Sequence, residues 1–358
     1  MLSSRRSRQV LRNCGVLATV LSATVACSSS TSGHGKGGRV HLAFIYSTTS
    51  QNPFQEMAFG AKAAAQDAGN VDLTESAPPK IDGPAEVSQF QAATRTSTDG
   101  IAMETLNPDL FVRPLKQASD AKVPVVAVDT APPDGTAVGL YIGNSNTELG
   151  RSLATEIIKH IPVGTTGEVV LGNDIPGLAL LGQRLDGMKQ VIQAERPTLT
   201  VLGPFDSGSE PTENFNKWND LVKAHPNAVA YLGAGASDAV SLALIEKNTG
   251  KKFLVGSCDP DAQALQAVKN GYAAALASPE HWLKGYVALA LLAQHASTGQ
   301  ALPQGWWNTG SLIINSDNID QIIDRQSSEA SRKAWFAAEV KKQLADPAQY
   351  LKPMNQAN

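Results

Sequence analysis

The chain has 358 residues, 42% of them hydrophobic and 18% charged, with a net charge of −3. That is enough for two domains with sizeable cores, in a composition ordinary for a globular protein. Without Arg5, Arg6, Arg8 and Arg12 of the leader, 26 basic residues face 33 acidic ones, a balance of −7; this lacks the basic footprint that a nucleic-acid partner requires.

The first 26 residues read as a signal peptide. A basic RRSR precedes an apolar stretch from Cys14 to Ala26, too short for a spanning helix. Thr24-Val25-Ala26 then leads into Cys27, which resembles a bacterial lipobox with Thr24 where leucine is preferred. Cys27 is the expected acylation site; the alternative is an ordinary cleaved signal with an incidental cysteine. The paired arginines lack the rest of a twin-arginine pattern. Cys14, Cys27 and Cys258 are the only cysteines, so once the leader is removed and Cys27 acylated, Cys258 has no disulfide partner. Residues 27–38 are Ser/Gly-rich and read as a flexible tether.

From Val40 the chain alternates strands and helices. Val40–Tyr46 is a buried strand, Ser47–Asn52 a polar loop, and the helix from Pro53 ends at Gly69, with Asn52 as its expected N-cap. Strands follow at 71–75, 100–106, 123–128 and 140–144, with helices over 85–97 and 110–121. After a helix at 147–161, a second series places strands at 168–171, 199–205, 228–233, 253–257, 272–277 and 311–315. Helices at 178–194, 215–224, 239–248, 261–270 and 282–296 intervene, and an amphipathic helix at 329–344 has Trp335, Phe336 and Val340 as its apolar side. The pattern predicts an α/β fold: two Rossmann-like lobes with parallel doubly wound sheets.

Phosphate loops, metal-binding His and Cys spacings and nucleophile elbows are absent from the sequence, so neither a cofactor nor a metal is expected. Gly233-Ala-Gly235 lacks the third glycine of a dinucleotide fingerprint. Polar residues do recur at strand carboxyl ends: Asn52, Asp129, Asn144, Asp174 and Asp259. Each alone is explained by helix capping, but five at one edge suit a polyol, which offers many hydroxyls and no charge.

Five blocks carry a family resemblance: S-x-x-N-P-F in the first loop, VPVVAVDTA, IGNSNTELGR, QRLDGMKQ and VGSCDPDAQALQAVKNG. Together, over roughly Val40–Asp324, the chain resembles the ribose-binding-protein-like, type I periplasmic solute-binding proteins, the sugar receptors of ABC importers. The resemblance implies two lobes joined by a three-crossover hinge and closing on a sugar. It implies an N-terminal lobe of residues 39–143 plus 277–308, a C-terminal lobe of 144–276 plus 309–325, and a helical extension over 326–358.

It also implies a site. Asn52 and Phe54 match the amide and stacking ring of the first loop, with Gln55 where a second ring is expected. Asp129 matches the hydroxyl-binding aspartate, with Thr130 in place of a frequent arginine. Arg184 and Asp259 match the second lobe's arginine and aspartate. Gly235 stands where asparagine is expected, with Ser237 and Asp238 as nearby substitutes. Ser278 falls at the third crossover, followed by Glu280, His281 and Trp282, and Asn144 completes the ligand-binding set. The implied protein is a monomeric, lipid-anchored, extracytoplasmic receptor that hands a sugar, sugar alcohol or related polyol to an ABC permease. The alternative is a sensory receptor presenting a sugar or furanosyl signal to a membrane chemoreceptor or kinase. The leader occupies the place where related repressors carry a helix-turn-helix. Nothing in the sequence assembles a nucleophile, base and orienter, so catalysis is not expected.

Overall fold

The computed structural model describes residues 38–357. The leader, Cys27 and most of the tether therefore lie outside the described residues. The chain first lays down β1 (Val40–Ile45), α1 (Asn52–Ala68), β2 (Val71–Ser76), α2 (Gly83–Thr96), β3 (Gly100–Glu104), α3 (Val112–Asp120), β4 (Val125–Val128) and β5 (Leu140–Gly143). It then crosses to a second sheet, through α4 (Asn146–Ile158), β6 (Gly167–Asn173), α5 (Ala179–Glu195), β7 (Leu199–Asp206) and α6 (Pro211–Ala224). That sheet is completed by β8 (Ala228–Gly233), α7 (Asp238–Thr249), β9 (Leu254–Cys258), α8 (Ala262–Lys269) and β10 (Ala275–Ser278). The chain returns through α9 (His281–Thr298) and β11 (Gly305–Asn308), crosses again to β12 (Leu312–Ile314) and α10 (Ile319–Arg325), and comes back with α11 (Glu329–Ala345) and β13 (Leu351–Lys352).

The strand orders are β13-β11-β5-β4-β3-β1-β2 and β12-β10-β9-β8-β6-β7. All pairings are parallel except those of the edge strands β12 and β13. Each sheet thus reverses its winding once, between β1 and β3 in the first and between β6 and β8 in the second. The crevice outside the carboxyl ends of strands at such a reversal is where open α/β sheets bind ligands.

The central strands are buried on both faces, as their continuous apolar runs require. Two helix pairs pack closely enough to demand glycine. A Cβ on Gly60 of α1 would lie 1.9 Å from the Trp282 carbonyl oxygen, and one on Gly285 of α9 would lie 1.9 Å from that of Met57. The second lobe repeats the device between α4 and α5, where a Cβ on Gly150 would lie 1.8 Å from the Arg184 carbonyl oxygen. These contacts set the height of α9 and α5, the two helices that carry cations into the crevice.

The expected N-cap of α1 moves by one residue. Gln51 occupies the cap, without a side-chain bond, and Asn52 is already helical; proline near the helix start removes one of the N–H groups a cap would serve. The three expected crossovers join the lobes, and a fourth passage is added to them. The fourth, residues 326–328, links α10, whose Ile319 and Ile322 lie in a second-lobe core, to α11, whose Phe336 and Val340 lie in the first-lobe core. Trp335 does not share that face. It is 41% exposed, with the Arg325 guanidinium 5.7 Å from its ring.

Candidate functional site

The two winding reversals face each other across a pocket of about 40 Å³, bordered by Phe54, Asp129, Asp174, Arg184, Asp259 and His281 among others. That is room for only a few water molecules. Asp129 follows β4 and Asp259 follows β9, so the two aspartates are equivalent residues of the two lobes. Both are 6% exposed and both have left-handed backbones, φ 64° and 57°, a conformation Asp tolerates better than most residues. Their amides are tied to neighbouring strands, Asp129 N–H to the Ile142 carbonyl at 2.8 Å and Asp259 N–H to that of Ala277 at 3.0 Å. The side chains therefore leave the sheet edge from a fixed base.

Seven side chains form a ring around this pocket. Arg184 Nη1 donates to Asp259 Oδ2 at 2.5 Å and its Nε donates to Asn146 Oδ1 at 3.0 Å. Asn144 Nδ2 donates to the same Asn146 oxygen at 3.3 Å, and Asn144 Oδ1 accepts from Lys284 Nζ at 2.6 Å. Lys284 also donates to Asp129 Oδ1. His281 closes the circle, with Nε2 2.9 Å from Asp259 Oδ1 and Nδ1 3.6 Å from Asp129 Oδ1.

The charges are unequal in their comfort. Burial disfavours ionisation of Asp259, but Arg184 and His281 outweigh it and hold the carboxyl below its usual range. Asp129 is likewise held low against its burial, by Lys284, His281 and Arg184. Arg184 is raised despite its own burial, through Asp259. Lys284, wholly buried, is lowered, since its desolvation costs more than Asp129 returns. Asp174 is pushed well above its usual value by burial and by the Asp238 and Asp259 charges.

The structure brings Phe54, Asp129, Arg184, Gly235 and Asp259 to the pocket wall. Asn144 sits one step back in the ring. Thr130 is 9% exposed, with no hydrogen-bond partner for its Oγ1, and faces an adjoining chamber. Asn52 and Gln55 do not reach the wall, whereas Gln51 and Pro53 do. Gln55 Nε2 instead donates to the Thr49 carbonyl at 2.8 Å, bracing the loop.

Asp238 is spent inside the second lobe. Its Oδ1 accepts from Ser207, Asn214 and Trp218 at 2.9, 2.8 and 2.7 Å, and its Oδ2 from Gly235 N–H at 3.0 Å. Ser278 accepts from Glu280 N–H at 3.4 Å. Trp282 points away, stacked on Phe336 with centroids 4.9 Å apart. Gly235 has a steric reason: a Cβ there would fall 1.9 Å from Asp174 Oδ2, so the Asp174 carboxyl fills the space a side chain at 235 would need.

Sequence reading missed Lys284 and left His281 without a role. A signal was present. Lys284 is the only charge in the run Trp282–Ala293, and spacing of three from His281 places both on one helix face.

A family profile described as "Periplasmic binding protein domain" matches residues 42–301. With two α/β lobes facing each other across aligned winding reversals, the molecule is a two-lobed binding protein. The chain belongs to this periplasmic binding protein family. The xylose/arabinose-binding protein XylF of Sulfolobus acidocaldarius is 24% identical over 266 residues, 70% of this chain and 64% of that protein, so the match covers less than two thirds of its length. The ribose import binding protein RbsB of Salmonella typhimurium is 26% identical over 262 residues, 72% of this chain and 85% of its own. Among solved structures, a solute-binding protein of Burkholderia graminis in complex with D-arabinose superposes with a TM-score of 0.72 at 22% identity, covering 79% of this chain and 97% of that one. A periplasmic ribose ABC transporter protein of Conexibacter woesei gives 0.71 at 20%, covering 84% and 99%. At these identities the structures establish the shared fold.

Proposed function

We propose that the protein is an extracytoplasmic solute-binding protein that captures a sugar, sugar alcohol or related polyol between its lobes and delivers it to an ABC permease. The observation that carries this reading is the facing pair Asp129 and Asp259, each charged, each fixed by its backbone, one from each lobe, with Phe54 beside them. A carboxylate oxygen accepts more than one hydrogen bond. Ring-held aspartates therefore keep capacity for ligand hydroxyls while their cations keep them ionised. The names of the relatives, which refer to xylose, arabinose and ribose, support the same ligand class. No bond is made or broken; binding is coupled to a hinge movement of the lobes. Cys27 is the proposed lipid anchor and the protein acts as a monomer.

Thermal-shift screening over pentoses, hexoses and polyols tests the ligand class, because a ligand that binds only the folded state raises the melting temperature by mass action. Absence of a saturable shift with every polyol would sink the reading. Cys27→Ser should move the protein from the membrane to the soluble fraction, and retention on membranes would refute the anchor.

A further inference from the structure

The pocket between the aspartates is narrowed by the protein's own side chains. About 40 Å³ remains, and the His281 imidazole is among the groups that border it. The contacts of this imidazole are asymmetric. His281 opens α9, whose apolar residues belong to the first-lobe core. Its hydrogen bond nevertheless goes to the second lobe, with Nε2 2.9 Å from Asp259 Oδ1. On the side of its own lobe, Nδ1 stands 3.6 Å from Asp129 Oδ1 and has no hydrogen-bond partner. The other links of the ring stay within one lobe or run through Asn144 and Asn146, in the segment that joins β5 to α4. Among the described residues, His281 is thus the ring's one direct tie from lobe to lobe.

The backbone that delivers His281 is strained. Glu280 has φ 56° and ψ 50°, a left-handed conformation that a residue with a long side chain rarely adopts. Such residues persist where their surroundings over-determine them, and they collect at switch segments. Here the surroundings come from the second lobe. Arg325 Nη1 of α10 donates to both Glu280 carboxylate oxygens, at 3.1 and 3.4 Å, and α10 places Ile319 and Ile322 in a second-lobe core. The second lobe therefore grips two successive residues at the start of α9: Glu280 through Arg325, and His281 through Asp259. Leu106 also spans the lobes, packed against a core of each, but apolar contact is non-directional and tolerates sliding.

We propose that His281 is a latch. It holds the lobes together through Asp259 without a solute, and it yields Asp259 Oδ1 when a solute hydroxyl takes its place. The exchange is even, since one N–H donor to the carboxylate gives way to one O–H donor. A sugar-sized solute has no room beside the imidazole; room appears when His281 withdraws with α9 as the lobes part at the hinge. The tie between the lobes stands on the geometry above, and the solute's part in releasing it rests on the sugar-binding reading.

Amide hydrogen exchange of the purified protein without solute tests the latch, followed at residues 106–110 and 174–181, which border the cleft from the two lobes. His281→Ala should raise exchange there about tenfold or more, the effect expected for losing a hydrogen bond to a charged group, and leave the central strands of both lobes unchanged. His281→Leu, which keeps the volume and removes the donor, should do the same. His281→Gln, which keeps an N–H within reach, should restore native rates. Native exchange in both the alanine and leucine variants would overturn the latch. Native exchange in the leucine variant alone would overturn it as well, by making the imidazole a spacer. In titrations with D-ribose, D-xylose and D-arabinose, a sugar that binds the native protein should bind His281→Ala about tenfold tighter, because no latch has to be released first. Equal or weaker binding would overturn the exchange of His281 for solute. Failure of every sugar with every variant, beside raised exchange, would support the latch and overturn the sugar reading.

Discussion

His281 reaches from the first turn of α9 to Asp259 at the end of β9, Nε2 to Oδ1 2.9 Å, and so joins a helix packed on the first lobe to the sheet edge of the second. With Arg184 on its other oxygen, Asp259 is shared by a buried guanidinium and a buried imidazole.

Replacing Asp259 by alanine should therefore do more than weaken ligand binding. It strands Arg184, itself 1% exposed, without its counter-charge. Removing one member of a buried pair costs about 3–5 kcal/mol. Asp259→Ala should lower the unfolding free energy in urea by that amount, whereas Asp259→Asn, which keeps a hydrogen-bond acceptor, should lose binding with a smaller stability loss. Equal, negligible losses for both would show that the ring adds nothing to the fold.

A pair of carboxyls beneath the first loop sets a pH dependence. Glu104 Oε2 accepts from Ser47 N–H at 2.9 Å and Glu86 Oε2 from Thr105 Oγ1 at 3.1 Å, while an oxygen of each has no partner. Burial pushes Glu86 up to about 8, from an ordinary 4.5. Glu104 moves the same way through its burial and the Glu86 charge. A carboxyl whose folded pKa lies above its unfolded one binds its proton more tightly when folded. Stability is then lost as pH rises between the two values. Unfolding free energy should fall between about pH 5 and 8, and Glu86→Gln should flatten the fall, gaining about 1–3 kcal/mol over the native protein at pH 8. A native curve flat across that range would contradict this.

Phe336 is what holds α11 to the first lobe, stacked within 4° of the Trp282 plane and flanked by the buried Arg332–Glu56 pair at 2.6 Å. Phe336→Ala should cost about 3–4 kcal/mol. It should also raise amide exchange across residues 329–345, and unchanged exchange there would mean that the helix is held by other contacts.

Gly235 and Asp174 make a reciprocal pair. Gly235→Asn should destabilise the second lobe by about 1–3 kcal/mol through overpacking, and Asp174→Gly in the same chain should restore it. If the double variant is no better than the single, the two residues do not compete for one space.

Much of this architecture is readable from sequence, because parallel strands buried on both faces appear as apolar runs with polar residues at their ends. Asp129 and Asp259 stand out for that reason, Phe54 and Arg184 through the family resemblance, and the structure gathers all four at one pocket. Lys284 is easily passed over, because a lone lysine in an apolar helix looks like a surface interruption; the fold shows it 0% exposed and facing Asp129. Asp238 and Trp282 look like site residues by position, yet neighbours distant in sequence, Trp218 for one and Phe336 for the other, claim them. β11 and β13 escaped because neither carries an apolar run beyond Trp306-Trp307 in the one and Leu351 alone in the other.

The fourth passage between the lobes has a mechanical consequence. Between α10 on one lobe and α11 on the other lie only residues 326–328, and three residues extend to about 11 Å at most. Arg325, at the near end, is also held by Glu280 at 3.1 Å. The far rim of the hinge thus works on a short leash, and the arc through which a ligand enters and leaves is set by its length.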